Sequence, residues 1–150
     1  MDLLLWRHAE AALGEPDHGR ELTSKGLKQA AKVGHWLDRN LPENCRILSS
    51  PAQRCEQTAK AMGRKFKVMN ELAPGALPAE ILNIAGWPDA REPVVIVGHQ
   101  PVLGEVAAIL LSGGAQEWTI RKANVWWLSN RVKDDTAHAV LRAVMGPDFV

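Results

Sequence analysis

Three short apolar runs in this sequence each end on side chains able to handle an oxyanion. Leu3-Leu4-Leu5-Trp6 is followed by Arg7-His8, Ile47-Leu48 by Ser49-Ser50-Pro51-Ala52-Gln53-Arg54, and Val94-Val95-Ile96-Val97-Gly98 by His99. A guanidinium presents a rigid fork of donors that matches tetrahedral oxyanions and stays charged at every relevant pH, and no lysine stands at these three points. Imidazole fills the remaining roles. Neutral, it is a nucleophile able to take a phosphoryl group; protonated, it is a further donor to the transferring oxygens. Two arginines and two histidines at three run ends point to phosphate. The sequence holds no glycine-lysine phosphate loop and no dense carboxylate cluster, and His18, His35 and His138 lack a ligand spacing such as HExxH, so no metal and no cofactor are expected.

Elements of a particular kind must position such residues. Residues 3–6 form a continuous apolar run ended by charge, which suits a strand buried on both faces. Residues 14–20 read as loop, after which Leu27, Ala30, Val33 and Leu37 follow a helical spacing with Thr23 as N-cap. Residues 46–49 predict a second strand, and Pro51 suits the first turn of a helix over 52–62. A third strand is expected at 66–69, a short helix at 79–85 entered at Pro78, a β-branched strand at 93–98 and a helix carrying Leu103, Val106, Ala107, Leu110 and Leu111. Two late strands, 124–128 and 137–144, flank a polar turn at 130–136. Strands alternating with helices predict one α/β domain over residues 1–150, with a mostly parallel central sheet flanked by helices. In such sheets ligands bind beyond the carboxyl ends of the strands, where these polar residues lie.

Composition narrows the function classes. The chain has 150 residues, 46% of them apolar, which is enough for an ordinary core and excludes a disordered chain. Its 18 basic and 17 acidic side chains leave a formal charge of +1, so no bulk field marks a nucleic-acid or membrane binder. Cys45 and Cys55 match neither a redox pair nor a zinc knuckle, and no apolar run reaches membrane length. A cytoplasmic protein is the expectation. Of the six tryptophans, Trp126 and Trp127 alternate across a predicted strand, and at least one is expected in the core. Arg121, Lys122 and Arg131 nearby are the only support for a base-stacking platform, and no nucleic-acid partner is expected.

The residues carry a resemblance. Arg7-His8-Ala9-Glu10-Ala11, then Leu22-Thr23 with Gly26 and Gln29-Ala30, then Ser49-Ser50-Pro51 with Arg54 and Gln57-Thr58, then Val97-Gly98-His99-Gln100-Pro101 stand in the order seen in the histidine phosphatase superfamily. The match resembles its short phosphohistidine phosphatase branch, the SixA-like proteins, and spans roughly residues 1–112. It implies a phosphoglycerate-mutase-like fold, His8 as the nucleophile that becomes phosphorylated, and Arg7, Arg54 and His99 as the phosphate pocket, with Arg20 helping to bind substrate. It further implies a metal-independent monomer whose substrate is a phosphohistidine-bearing signalling protein, such as a histidine-phosphotransfer domain.

The family signature usually reads Arg-His-Gly, and this chain has Ala9 in the glycine's place. With φ below zero the added methyl costs little; with φ positive it would cost roughly 1–2 kcal/mol. Many relatives that cleave phosphate esters protonate the leaving oxygen with a carboxylic acid. Glu71 is the available choice here, ahead of Glu10 and Glu80. A phosphoramidate needs such an acid less, because imidazole can leave neutral. Two rival readings follow: a small-molecule phosphomonoesterase of the same superfamily, and a non-catalytic phosphate-binding module.

Overall fold

The structure is a computed structural model that describes the backbone of residues 1–150 and all side chains but those of Lys133, Thr136 and Ala137. In chain order the elements are β1 (Asp2–Arg7), α1 (Ser24–Asn40), β2 (Arg46–Ser49), α2 (Gln53–Lys60), β3 (Lys67–Val68), α3 (Pro78–Ala85), β4 (Val94–Gly98), α4 (Val102–Ser112), β5 (Val125–Lys133) and β6 (Thr136–Met145). Short 3-10 turns lie at Asp17–Gly19, Asn70–Leu72 and Pro147–Phe149.

The sheet is mixed and mostly parallel, in the order β3-β2-β4-β1-β5-β6. β1 pairs parallel with β4 on one side and antiparallel with β5 on the other, with Leu5 opposite both Ile96 and Trp126. β2 pairs parallel with β4 and with β3, and β5 and β6 form an antiparallel hairpin. Because β1 and β4 are central and covered on both faces, their apolar residues are buried without alternation. Leu3, Leu5, Val94 and Ile96 face one core with Ile81 of α3 and Leu103 and Val106 of α4. Leu4, Trp6, Val95 and Val97 face the other with Val33 and Leu37 of α1 and Cys55 and Ala59 of α2. The adjacent tryptophans of β5 divide the same way, Trp127 buried in one core and Trp126 packing on the other.

Local chemistry sets the boundaries. Thr23 Oγ1 accepts the Gly26 N–H at 3.0 Å and caps α1, which buries Ala30, Val33 and Leu37. Pro78 stands in the first turn of α3, and Gly86 ends it in the left-handed conformation at φ 72°. α2 begins at Gln53, so Pro51 precedes its N-cap Ala52 and does not enter the first turn; Ser50 Oγ accepts the Ala52 N–H and turns the chain there.

The late hairpin is longer than its composition predicts. Asn130, Arg131 and Val132 pair with Ala139, His138 and Ala137, and only Asp134 and Asp135 turn. Polar residues there are compatible with strand because this arm is largely exposed, and positive φ at both aspartates (52° and 62°) matches a two-residue type I′ turn. Among the described residues, no helix is long and apolar enough to cross a membrane.

Candidate phosphoryl-transfer site

The parallel order β2-β4-β1 brings three strand ends side by side. The His8 N–H donates to Gly98 O at 3.1 Å, and the Ser50 N–H to Val97 O at 3.0 Å, so the residues after β1, β2 and β4 share one edge. His8, Arg54 and His99 are all nearly buried there, and the two imidazole centroids are 5.4 Å apart. Together with Arg7, Arg20 and Lys122 they line a cleft of about 240 Å³.

The hydrogen bonds assign the tautomers. His8 Nδ1 lies 2.7 Å from the Ala9 carbonyl oxygen, which can only accept, so Nδ1 carries the proton and Nε2 keeps its lone pair. His99 Nδ1 faces Arg54 Nη2 at 3.4 Å and must accept; its Nε2 then donates to Ser50 Oγ at 2.8 Å. Both rings are held neutral. Burial, joined by the Arg54, Arg7 and Arg20 charges and opposed by the Ala9 hydrogen bond, pushes His8 down to about 4. Burial and then Arg54 push His99 down to about 3.

The arginines are anchored but not saturated. Arg7 Nη1 donates to Ile120 O at 2.9 Å, and Arg54 Nη1 to Asp17 O at 2.9 Å. The Nε atoms of Arg7 and Arg54 are buried without an acceptor among the described residues. Such donors are costly to leave unmet, and an incoming oxyanion is an acceptor suited to both groups. Asp17 joins the arginines: Oδ2 accepts from Arg54 Nη2 at 3.2 Å and Oδ1 from Arg20 Nη1 at 3.1 Å. Among the described residues no group of three or more His, Cys, Asp or Glu gathers as a metal site.

Comparison with known proteins meets this geometry. A model of the histidine phosphatase superfamily (branch 1) matches residues 3–76. An uncharacterized protein of Picosynechococcus is 34% identical over 151 residues, covering 92% of this chain and 90% of its own. The chain belongs to the histidine phosphatase superfamily. Its place is in the SixA-like branch: phosphohistidine phosphatase SixA of Escherichia coli is 29% identical over 124 residues, covering 75% of this chain and 76% of that one. A solved structure of the protein histidine phosphatase SixA complexed with tungstate shares the fold at a TM-score of 0.78 and 24% identity, over 99% of this chain and 98% of that one.

The superfamily motif residues outside the cleft hold the loop that follows His8. Gln57 Oε1 accepts the Leu22 N–H at 2.7 Å, Gln29 Oε1 the Glu10 N–H at 3.1 Å, and Thr58 Oγ1 the Ala9 N–H at 3.1 Å. Ala9 is fully buried, and its φ is not among the positive ones, so the methyl that replaces the usual glycine hydrogen carries no left-handed strain. The neighbouring strand end is different: Ala123, fully buried with φ 61°, donates its N–H to His8 O and accepts the Trp6 indole N–H at 3.0 Å. Its two hydrogen bonds hold this uncommon conformation against the His8 backbone.

Arg20 lines the cleft and is fixed by donating from Nε to Ala12 O at 2.8 Å. Glu71 is exposed on the 3-10 turn Asn70–Leu72 and is not among the residues lining the cleft. Glu80 caps α3 by accepting the Leu77 N–H, and Glu10 accepts the Thr23 hydroxyl at 2.8 Å. Sequence reasoning missed Asp17 as a partner of the site, and it placed Ser50 at the strand end without its bond to His99. Asp17 carries one local signal, its i,i+3 spacing to Arg20; its contact with Arg54 crosses 37 residues and leaves no trace in the pattern.

Proposed function

We propose that the chain is a phosphohistidine phosphatase working through a phosphorylated His8. The observation that carries this reading is the 2.7 Å bond from His8 Nδ1 to the Ala9 carbonyl, which aims a neutral Nε2 lone pair from the floor of an arginine-lined cleft. Arg7 and Arg54 donate to the phosphoryl oxygens, His99 joins them at Nδ1 by taking a proton as the dianion enters, and Arg20 adds charge at the rim. His8 Nε2 attacks phosphorus as the P–N bond of the substrate breaks, and the leaving imidazole takes that electron pair and a proton from solvent. Water then attacks phospho-His8, the new P–N bond breaks, and inorganic phosphate departs. A SixA relative solved in complex with tungstate, a tetrahedral oxyanion, supports an oxyanion ligand.

The composition of the cleft favours a P–N bond over a phosphate ester. The carboxylate beside the cleft, Asp17, is held ionised by Arg20 and Arg54, and Glu10 accepts the Thr23 hydroxyl, so neither stands ready as an acid for an alkoxide leaving group, whereas imidazole departs without one. A small cleft, of about 240 Å³, also suits a phosphohistidine displayed on another protein, such as a histidine-phosphotransfer domain of a signalling relay.

The test is phosphate release from a phosphorylated transfer domain in EDTA, with wild type and His8→Ala side by side. Wild type is expected to release phosphate and His8→Ala to lose at least about 10³-fold in rate. Faster turnover of a phosphate ester that falls in Glu71→Gln would favour the phosphomonoesterase. Binding of phosphate with no turnover of either substrate would mark a binding module.

A further inference from the structure

A second cleft of about 410 Å³ adjoins the phosphoryl cleft and shares Arg7 and Lys122 with it. Its charged lining is Arg7, Lys25, Arg121 and Lys122 against Glu10 and Asp148, a local excess of cations in a chain whose formal charge is +1. The side chains of Lys25, Arg121 and Lys122 are exposed and make no hydrogen bond or ion pair among the described residues, while Glu10 is turned to the Thr23 hydroxyl.

The cations stand on a fixed backbone. Trp118 O accepts from Gln100 Nε2 at 2.8 Å, Ile120 O from Arg7 Nη1 at 2.9 Å, and Ala123 is tied at both its N–H and its carbonyl. Arg121 and Lys122 are thus held between anchors that are themselves attached to the residues around His8. A charge carried on a segment already immobilised loses little further backbone freedom on meeting its counter-ion.

We propose that this basic cleft is a second anion-binding subsite, which takes carboxylate side chains of an acidic polypeptide segment neighbouring the phosphohistidine. The proposal rests on the phosphohistidine reading and names what surrounds the phosphoryl group. A cleft of about 240 Å³ accommodates the phosphoryl group and its imidazole but not the polypeptide bearing them, and the surface beside it is the basic one. Opposite charge there steers encounter and fixes orientation, so its contribution falls as salt rises.

The test compares two substrates in wild type and in Lys25→Glu/Arg121→Glu, which leaves Arg7 and Lys122 in place. One substrate is a phosphorylated transfer domain with an acidic surface; the other is free phosphohistidine. On the domain, kcat/KM is expected to fall at least tenfold, mainly through KM, with a flatter salt dependence. On free phosphohistidine it stays within twofold. Equal losses on both, or none on the domain, would overturn the subsite. A loss confined to a small ester carrying a second anion would assign the cleft to a small molecule and overturn it too.

A binding arm needs no turnover and separates failure of the subsite from failure of the phosphatase reading. Titration of the whole chain with a hexaglutamate peptide, followed by amide NMR, is expected to shift residues 24–29 and 119–124 in wild type and not in the double variant. Shifts absent from both segments would sink the proposal even if phosphohistidine is hydrolysed.

Discussion

His8 is a base that its surroundings keep unprotonated. With its pKa pushed down to about 4 by burial and then by the neighbouring guanidiniums, the neutral form persists well below the range of an ordinary imidazole. The acid limb of kcat/KM is expected near pH 4 and not near 6.5; the free-enzyme profile measured between pH 3.5 and 8 checks this, and a midpoint at 6.5 would contradict it. Asp17 supplies the second residue-scale prediction. Its carboxylate sits on Arg54 and Arg20, where it offsets charge that would otherwise act on a phosphate dianion. Asp17→Asn is expected to lower the inhibition constant of inorganic phosphate several-fold, read from competition at constant ionic strength. That Arg7, His8, Arg54 and His99 would meet at one sheet edge was legible because each follows an apolar run or opens the helix after one. Asp17 was not, since a carboxylate in a Gly- and Pro-rich loop is ordinary until the fold sets it on Arg54.

Close contacts between elements also carry information that apolar patterning hides. Gly104 lies in α4 against the Trp118 carbonyl oxygen, in a place that a Cβ would occupy. Gly104→Ala is expected to cost about 2 kcal/mol, which for a chain of this size lowers the melting temperature by roughly 5 °C in calorimetry. It should weaken turnover as well, because the displaced Trp118 begins the segment that Arg7 and His8 hold. The strands at 3–6 and 94–97 and the helix capped by Thr23 were plain in the sequence, since burial on two faces and a 3.6-residue stripe are strong signals. The 130–136 segment misled because an exposed hairpin arm needs no apolar face, and polarity alone cannot separate strand from turn.

At the scale of the whole molecule, two buried neutral histidines make folding depend on pH. Unfolded, each takes a proton near 6.5; folded, His8 does so only near 4 and His99 only near 3. The unfolded chain therefore binds more protons below 6.5, and stability, complete above that pH, falls as pH drops toward 4 and 3. Between pH 7 and pH 5 the melting temperature is expected to fall by about 5–10 °C, and by much less in His8→Gln/His99→Gln. An alternating strand and helix pattern signalled a mostly parallel sheet, but the reversal at β5 was not readable, because strand order depends on pairings between distant residues.

That order has a consequence for how the protein comes into being. β1 leaves the ribosome before its partners, since its neighbours are β4 and β5 and the Trp6 indole meets its carbonyl partner 117 residues further on. Until the chain has been synthesised through residue 98, an apolar strand of Leu3, Leu4, Leu5 and Trp6 has no ladder to join, and its second neighbour arrives only with residues 125–129. So distant a closure makes for slow, cooperative folding and leaves the nascent strand a natural client for chaperones. His8, which follows that strand, is put in order only when those distant partners arrive.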